Sequence, residues 1–376
     1  MNSTSKLSGG YLYGIDIVRF ACAVAVGVYH LTGTMPELTA YGSFGWIGVE
    51  IFFVISGLVI ANSAHGATVR QFLVGRFLRL YPTAWCAAAV SYPIFLFTVP
   101  KHGRPILPLI LSMTLIHGPF LAGAYWTLPI ELSFYFLIFL LLWFKKFEHI
   151  QLFAIALVFW SAPYLTVLLL NTCGVLQMQW IDFGFGAGNM SLLRHGPFFA
   201  LGILVWLFRE KRISWAGLLS AACALILGAV DIYVRSVELF HNFTSSTLPP
   251  QPFWNHLDLV ANMAFLAGFL GILLSVKLNY LFPKNITARK TVRLAGLTTY
   301  PFYLLHQRVG GYVSSEMLGL GVGHLPSVVI ALLCTGGVSA LVALYGEPAL
   351  RSLLKKIAPA LRSSSGIDAL TAQEKA

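Results

Sequence analysis

Long apolar runs alternate with short polar segments along the whole chain. The runs cover residues 11–33, 44–61, 82–99, 126–144, 151–170, 192–208, 215–234, 257–276, 294–313 and 327–345. Most approach or exceed the roughly 20 residues a helix needs to cross about 30 Å of hydrocarbon. An eleventh run, 106–121, is shorter and interrupted by Pro108, His117, Gly118 and Pro119. The pattern predicts an all-α, polytopic helical membrane protein with about ten transmembrane helices plus one re-entrant or interfacial segment.

Charge decides how the eleventh run is counted. If it does not cross, the basic segments 209–212 ("REKR"), Lys145/Lys146, Arg70/Arg76/Arg79, 277–293 and the tail from Arg351 all fall on one side. Eleven crossings would move Lys145 and Lys146 to the face opposite Arg70, Arg76 and Arg79. The positive-inside rule therefore favours ten crossings with both termini cytoplasmic. Lys101, His102 and Arg104 then lie outside, against the trend. Two longer outer connections, 171–191 and 235–256, are candidate lids or acceptor contacts. Residues 1–350 read as one membrane domain whose first helix is not cleaved. Residues 351–376 read as a basic cytoplasmic tail, with a surface amphipathic helix over 349–361 and disorder from "RSSSG" onward.

Composition agrees with this picture. Hydrophobic residues make up 57% of the chain and charged residues 10%, where a soluble domain carries about 25% charged residues. A soluble protein is excluded. The net charge of +11 comes mainly from short segments between apolar runs, which reads as membrane orientation and not as a nucleic-acid surface. Five scattered cysteines form neither a disulfide framework nor a metal-ligand spacing. No internal repeat suggests the inverted symmetry of many transporters.

Within the runs, or at their edges, stand Asp16, Arg19, His30, Glu50, Glu131, Arg194, His195, Asp258, His306 and Glu347. An ionisable side chain at mid-membrane costs roughly 2.5–3.5 kcal/mol on insertion scales, so each needs a partner, a polar cavity or a task. Arg19 and His30 lie within about 20° of one helix face and roughly 16 Å apart along the axis. Ala23, Val26 and Gly27 between them form a small-residue stripe that admits a close helix or a slender ligand. Asp16, one turn before Arg19, reads as its ion-pair partner. The topology puts His30, Glu50 and Glu131 together in the outer half, as a general base with an orienting carboxylate requires and as a transporter's proton relay would also look. On the inner side, Arg76 and Arg79, with Arg70 earlier, can grip a phosphorylated ligand or simply anchor the membrane face. Tyr81 and Pro82 read as the start of the next helix.

These residues fall in motifs that resemble the acyltransferase-3 family of integral membrane acyltransferases. "RFACAVAVGVYH" is similar to the family's R-x10-H, and "GVEIFFVISGLVI" (48–60) to its glycine-acidic-FF-x-x-SG signature. "RFLRLYP" (76–82) resembles R-x-x-R-x-Y-P, and "WTLPIELSFY" (126–135) the W-[ST]-L-x-x-E-x-x-FY motif. "GLTTYPFYLLH" (296–306) and "LYGEPAL" (344–350) resemble the two C-terminal motifs. Thr299 stands where the family has serine, and Glu347 is followed directly by proline.

The resemblance implies a multi-pass enzyme of a bacterial inner membrane, surrounded by membrane lipids. It would move an acyl group, acetyl by default, from cytoplasmic acyl-CoA to a hydroxyl of a surface glycan or lipid-linked oligosaccharide. His30 would be the general base, with Glu131 or Glu50 orienting it and Arg19 beneath. Arg76, Arg79, Tyr81 and Arg70 would bind acyl-CoA. Asp16, Ser56, Trp126, Tyr135, Tyr303, His306 and Glu347 would line the channel or acceptor path, and a covalent alternative would use His30 or Ser56 as a transient acyl carrier. No resident cofactor or metal and no nucleic-acid partner is implied. Many relatives carry a C-terminal hydrolase-like domain, so the expectation is that the reaction is completed in the membrane domain or with a partner. A proton-coupled transporter or flippase is the alternative, and a scaffolding subunit a third reading.

Overall fold

The computed structural model describes residues 11–98, 106–177, 190–245, 256–282 and 285–358, and among these the regular elements are all helical, with no strand. The expected outer charges Lys101, His102 and Arg104, residues 178–189 and 246–255 of the two long connections, and the tail from 359 lie outside the described residues. Eight helices are long and apolar enough to cross a bilayer. They include α1 (Tyr13–Thr32), α3 (Ile47–Ala64, preceded by the short α2, Pro36–Gly42), α4 (Val69–Thr98), α6 (Thr127–Trp143) and α7 (Ile150–Thr172). The others contain α9 (Trp215–Ser245), α10 (Leu257–Lys277) and α13 (His324–Leu341).

Two further elements complete the bundle. Helix α8 (Gly196–Arg209) is short, yet every residue from Gly196 to Leu207 is buried. It is apolar all round because helices surround it. Helix α11 (Ile286–Leu305) passes through a π turn at His306–Gly310 into α12 (Gly311–Gly319). A second π turn, Val342–Gly346, joins α13 to the basic amphipathic α14 (Glu347–Ile357).

Two boundaries differ from the sequence expectation. Pro82 does not open a helix, because a capping box at Thr68 and Gln71 starts α4 thirteen residues earlier. The Gln71 side chain accepts from the Thr68 amide at 2.9 Å, and the Thr68 hydroxyl accepts from the Gln71 amide at 3.2 Å. Pro82 sits mid-helix in α4, and nearby the Tyr300 hydroxyl of α11 donates to the Leu80 carbonyl at 3.4 Å. The outer connection expected from Arg235 begins later, since α9 continues to Ser245.

The interrupted run 106–121 is a short helix, α5 (Ile106–Thr114), followed by non-helical chain and a 3-10 turn at Gly123–Trp126. The Trp85 indole donates to the Met113 carbonyl at 2.9 Å and the Tyr81 hydroxyl to the Thr114 carbonyl at 3.3 Å. These bonds pin the end of α5 against the middle of α4. Irregular backbone survives at membrane depth only when protein groups satisfy it, and here they do. Tyr81, expected to bind acyl-CoA, holds this re-entrant segment.

Small residues set the closest approaches. A Cβ on Gly202 of α8 would collide with the Val54 carbonyl of α3, and one on Gly57 with the Phe199 carbonyl of α8. A Cβ on Gly48 would stand 2.6 Å from the Cys22 carbonyl of α1. The Arg19–His30 stripe is covered by α11, because a Cβ on Gly27 would lie 3.1 Å from the Phe302 ring. Apolar helices in lipid gain from such contact because lipid tails already satisfy their side chains. Gly202→Val should therefore separate α3 from α8 at a cost of roughly 1–3 kcal/mol or more. The measurement is the thermal unfolding midpoint in detergent, which should fall well below that of wild type. Exposed Gly319→Ala should leave it unchanged.

Candidate functional site

The structure arranges the expected site residues in three polar clusters. The first lies towards the end carrying the basic loops. Arg19 of α1, Ser56 of α3, Arg76 and Arg79 of α4, Glu131 and Tyr135 of α6, and Tyr300 of α11 line a cavity of ≈ 60 Å³. One carboxylate faces three guanidiniums there, so the cavity is positive and suits an anion. The Tyr135 hydroxyl donates to Glu131 Oε1 at 2.5 Å and the Ser56 hydroxyl to the same oxygen at 3.1 Å. Arg76 lies 5.7 Å above the Tyr135 ring, and its buried Nε has no hydrogen-bond partner. A water needs about 10–15 Å³ of such space, so the cavity takes several waters or one phosphoryl-sized group.

Glu131 was expected beside His30, and the structure places it instead among the arginines. The reason is the re-entrant segment. Helix α6 starts after chain already folded into the bundle, pinned by the Ala124 amide donating to Gln307 at 2.8 Å and by Thr127 paired with the Tyr303 hydroxyl at 3.1 Å. Counting residues from a membrane surface therefore misjudges the depth of Glu131.

The second cluster is at the other end of α1. His30 is exposed in the last turn, and its ring centroid lies 5.2 Å from that of His306, which is fully buried. His306 Nδ1 is 2.7 Å from the Tyr303 carbonyl, which can only accept. Nδ1 therefore carries the proton, and in the neutral ring Nε2, buried without a partner, holds the lone pair. The π turn that begins at His306 is stitched to the re-entrant segment by Gln307 and by Arg308, whose Nε donates to the Leu121 carbonyl. Single π turns recur at functional sites. Along α11, six residues separate Tyr300 in the arginine cavity from His306, about 9 Å.

Arg235 stands near this pair, its guanidinium 5.2 Å from the Trp46 ring and 5.5 Å from the Trp126 ring. Its charge is close enough to act on His30, Tyr29 and Tyr303. The sequence reading missed it by assigning it to a polar connection. A signal was present, since Asp231, Arg235 and Glu238 recur at helical spacing in α9.

The third cluster absorbs Glu50. Its Oε2 lies 3.4 Å from His195 Nδ1, and both side chains are fully buried. His195 packs against the rings of Phe53 at 4.9 Å and Trp126 at 5.7 Å. Beside it Arg194 pairs with Asp231 at 2.6 Å and with Glu238 at 3.3 Å. Glu50 thus supports α8 and α9, and the expected Glu50–His30 pairing is replaced by Glu50–His195.

The remaining expected residues take structural positions. Asp16 is bonded by the Tyr11 hydroxyl and packs on Gly296 of α11, so the expected ion pair with Arg19 gives way and Arg19 turns to the cavity. Glu347 accepts from the Thr83 hydroxyl at 2.5 Å and pairs with Arg351, clasping α14 to α4. Arg70 is exposed at the start of α4, outside the cavity lining. Asp258 occupies the first turn of α10, where a carboxylate suits the helix dipole. A much larger cavity of ≈ 960 Å³, walled mainly by apolar residues of α6 and α7 and the segment after α5, suits hydrocarbon.

Comparison with known proteins agrees with the motif reading. The profile of a family described as an acyltransferase domain matches residues 12–345. The chain is 24% identical over 343 residues to the peptidoglycan O-acetyltransferase OatA of Listeria monocytogenes, covering 81% of this chain and 50% of that protein. It is 28% identical over 216 residues to a Komagataeibacter xylinus protein, BcsY, named as a membrane-bound transacylase, covering 51% of this chain and 53% of that one. The chain thus spans about half the length of these curated relatives. No solved structure matches. The profile match runs through every helix that contributes to the clusters, and the chain belongs to the acyltransferase-3 family of integral membrane acyltransferases.

Proposed function

We propose that the protein is a transmembrane O-acyltransferase that moves an acyl group, acetyl by default, from acyl-CoA on the basic side to a glycan or lipid-linked oligosaccharide hydroxyl on the other. The observation that carries this reading is the pair of stations shared by α1 and α11. Arginine-lined Arg19 and Tyr300 stand at one end, and His30 with His306 at the other. The likeness to a peptidoglycan O-acetyltransferase supports an acetyl group and a glycan acceptor.

In this mechanism the phosphates of CoA rest at the mouth of the arginine cavity, held by Arg76, Arg79 and Arg19. The thioester arm extends along the α1–α11 seam towards His30. His306 takes the orienting role first assigned to Glu131 or Glu50. Its Nδ1 proton is committed to the Tyr303 carbonyl, so its Nε2 lone pair can hold a His30 N–H and leave the other His30 nitrogen free as a base. That nitrogen takes the acceptor proton while the oxygen attacks the thioester carbonyl. The imidazolium then returns the proton to the departing CoA sulfur. Arg235, braced on Trp46 and Trp126, stabilises the oxyanion between these steps.

The test is acyl incorporation from labelled acetyl-CoA into peptidoglycan or oligosaccharide fragments by purified full-length protein. His30→Ala should lose about 10²- to 10⁴-fold in kcat, the usual worth of a positioned base. Full activity in that variant, or uptake of an unmodified substrate into vesicles without incorporation, overturns the assignment. Arg79→Gln should instead raise KM for acyl-CoA by about 10-fold or more, since a hydrogen bond to a charged group is worth about 1.5–3 kcal/mol. A change confined to kcat would remove Arg79 from the donor site.

A further inference from the structure

Glu50 on α3, His195 at the entry to α8 and Asp231 on α9 lie 145 and 36 residues apart in sequence and meet inside the bundle, all fully buried. One ligand-capable atom from each can be chosen so that all three lie within 4.8 Å of one another. Ligand atoms bonded to one ion at about 2.0–2.2 Å stand about 3–4 Å apart. Small side-chain adjustments therefore close the set.

The hydrogen bonding sets this cluster apart from an ordinary buried ion pair. Both Glu50 oxygens, both His195 nitrogens and Asp231 Oδ2 are sealed from solvent and have no hydrogen-bond partner. The 3.4 Å between His195 Nδ1 and Glu50 Oε2 exceeds the roughly 2.7–2.9 Å of a charge-assisted hydrogen bond. An imidazolium would bring two buried N–H groups to this place, and Nε2 faces no acceptor. Asp231 Oδ1 is already bonded by Arg194 at 2.6 Å, which leaves Oδ2 as the free donor. Metal-binding carboxylates are commonly held by such an outer hydrogen bond.

We propose that Glu50, His195 and Asp231 form a buried site for one divalent transition-metal ion, zinc by its donor set. One imidazole and two carboxylates suit zinc better than magnesium or calcium, which favour all-oxygen shells. Arg194 and Arg235 lie within electrostatic reach of Glu50. Their field opposes any cation, so binding must come from direct ligation by the three side chains. The ion ties α3, α8 and α9 together. Through His195 it also stiffens Trp126, on which Arg235 rests.

The test uses full-length protein without a histidine tag, purified in detergent, and reads metal content by plasma mass spectrometry. One zinc per chain is expected in wild type, and less than one-tenth of that in folded, monodisperse Asp231→Asn or Glu50→Gln. In parallel, chelator-stripped wild type is titrated with zinc chloride alone, and its thermal midpoint should rise with zinc concentration as binding to the native state requires. Substoichiometric metal after zinc incubation together with an unmoved midpoint overturns the site and leaves His195 ion-paired to Glu50. Metal retained by both variants overturns it as well. If the variants do not fold, the wild-type titration decides by itself. None of these readings depends on acyl transfer, so the site and the proposed reaction fail separately.

Discussion

Hydrocarbon cannot solvate a charge, and this constraint organises the bundle more than any apolar contact does. Every ionisable side chain inside a span must find a polar neighbour, and mostly that neighbour stands on another helix. Glu131 finds Ser56 and Tyr135 in the cavity that Arg19 lines, Glu50 finds His195, Arg194 finds Asp231, and Glu347 finds Thr83. Each match obliges particular helices to touch. Glycines 48, 57 and 202 then let those helices come close enough for the match to be made. The buried short helix α8 follows from the same need, because His195 at its entry must reach Glu50 across the α3–α8 crossing.

The three clusters divide tasks that a soluble enzyme would gather in one cleft. The arginine cavity is small and positive, the histidine pair is open at one side, and the Glu50 cluster is closed. Helices α1 and α11 run through the first two, so their relative position sets the distance between the arginine cavity and the histidine pair. The π turn at His306 and the re-entrant segment brace each other through Ala124, Gln307 and Arg308. That bracing consists of hydrogen bonds between side chains and the main chain, which also satisfy buried backbone groups of the segment after α5.

Periodicity and charge placement made the helical class, the recurrence of long apolar helices and the interrupted run legible, since these depend on hydropathy and loop charge alone. The motif residues were legible as a set, yet two of their partnerships were not. Glu131 stands in the arginine-lined cavity because the chain before α6 is folded into the bundle, and no residue count from a surface contains that offset. Glu50 belongs to His195 because α8 lies against α3, a contact 145 residues apart in sequence. Arg235 escaped notice because polar neighbours made the end of α9 look like a loop, although its spacing with Asp231 and Glu238 was helical.

By itself the sequence determined that these segments cross a membrane, which faces of α1 carry Arg19 and His30, and that their separation is roughly 16 Å, because helix geometry follows from covalent structure and hydrogen bonding. The tertiary structure alone decided which carboxylate serves which cation and that a second histidine, His306, stands behind the first. Pairing of that kind depends on crossing points between distant helices, and those are set where glycines and buried charges are satisfied together.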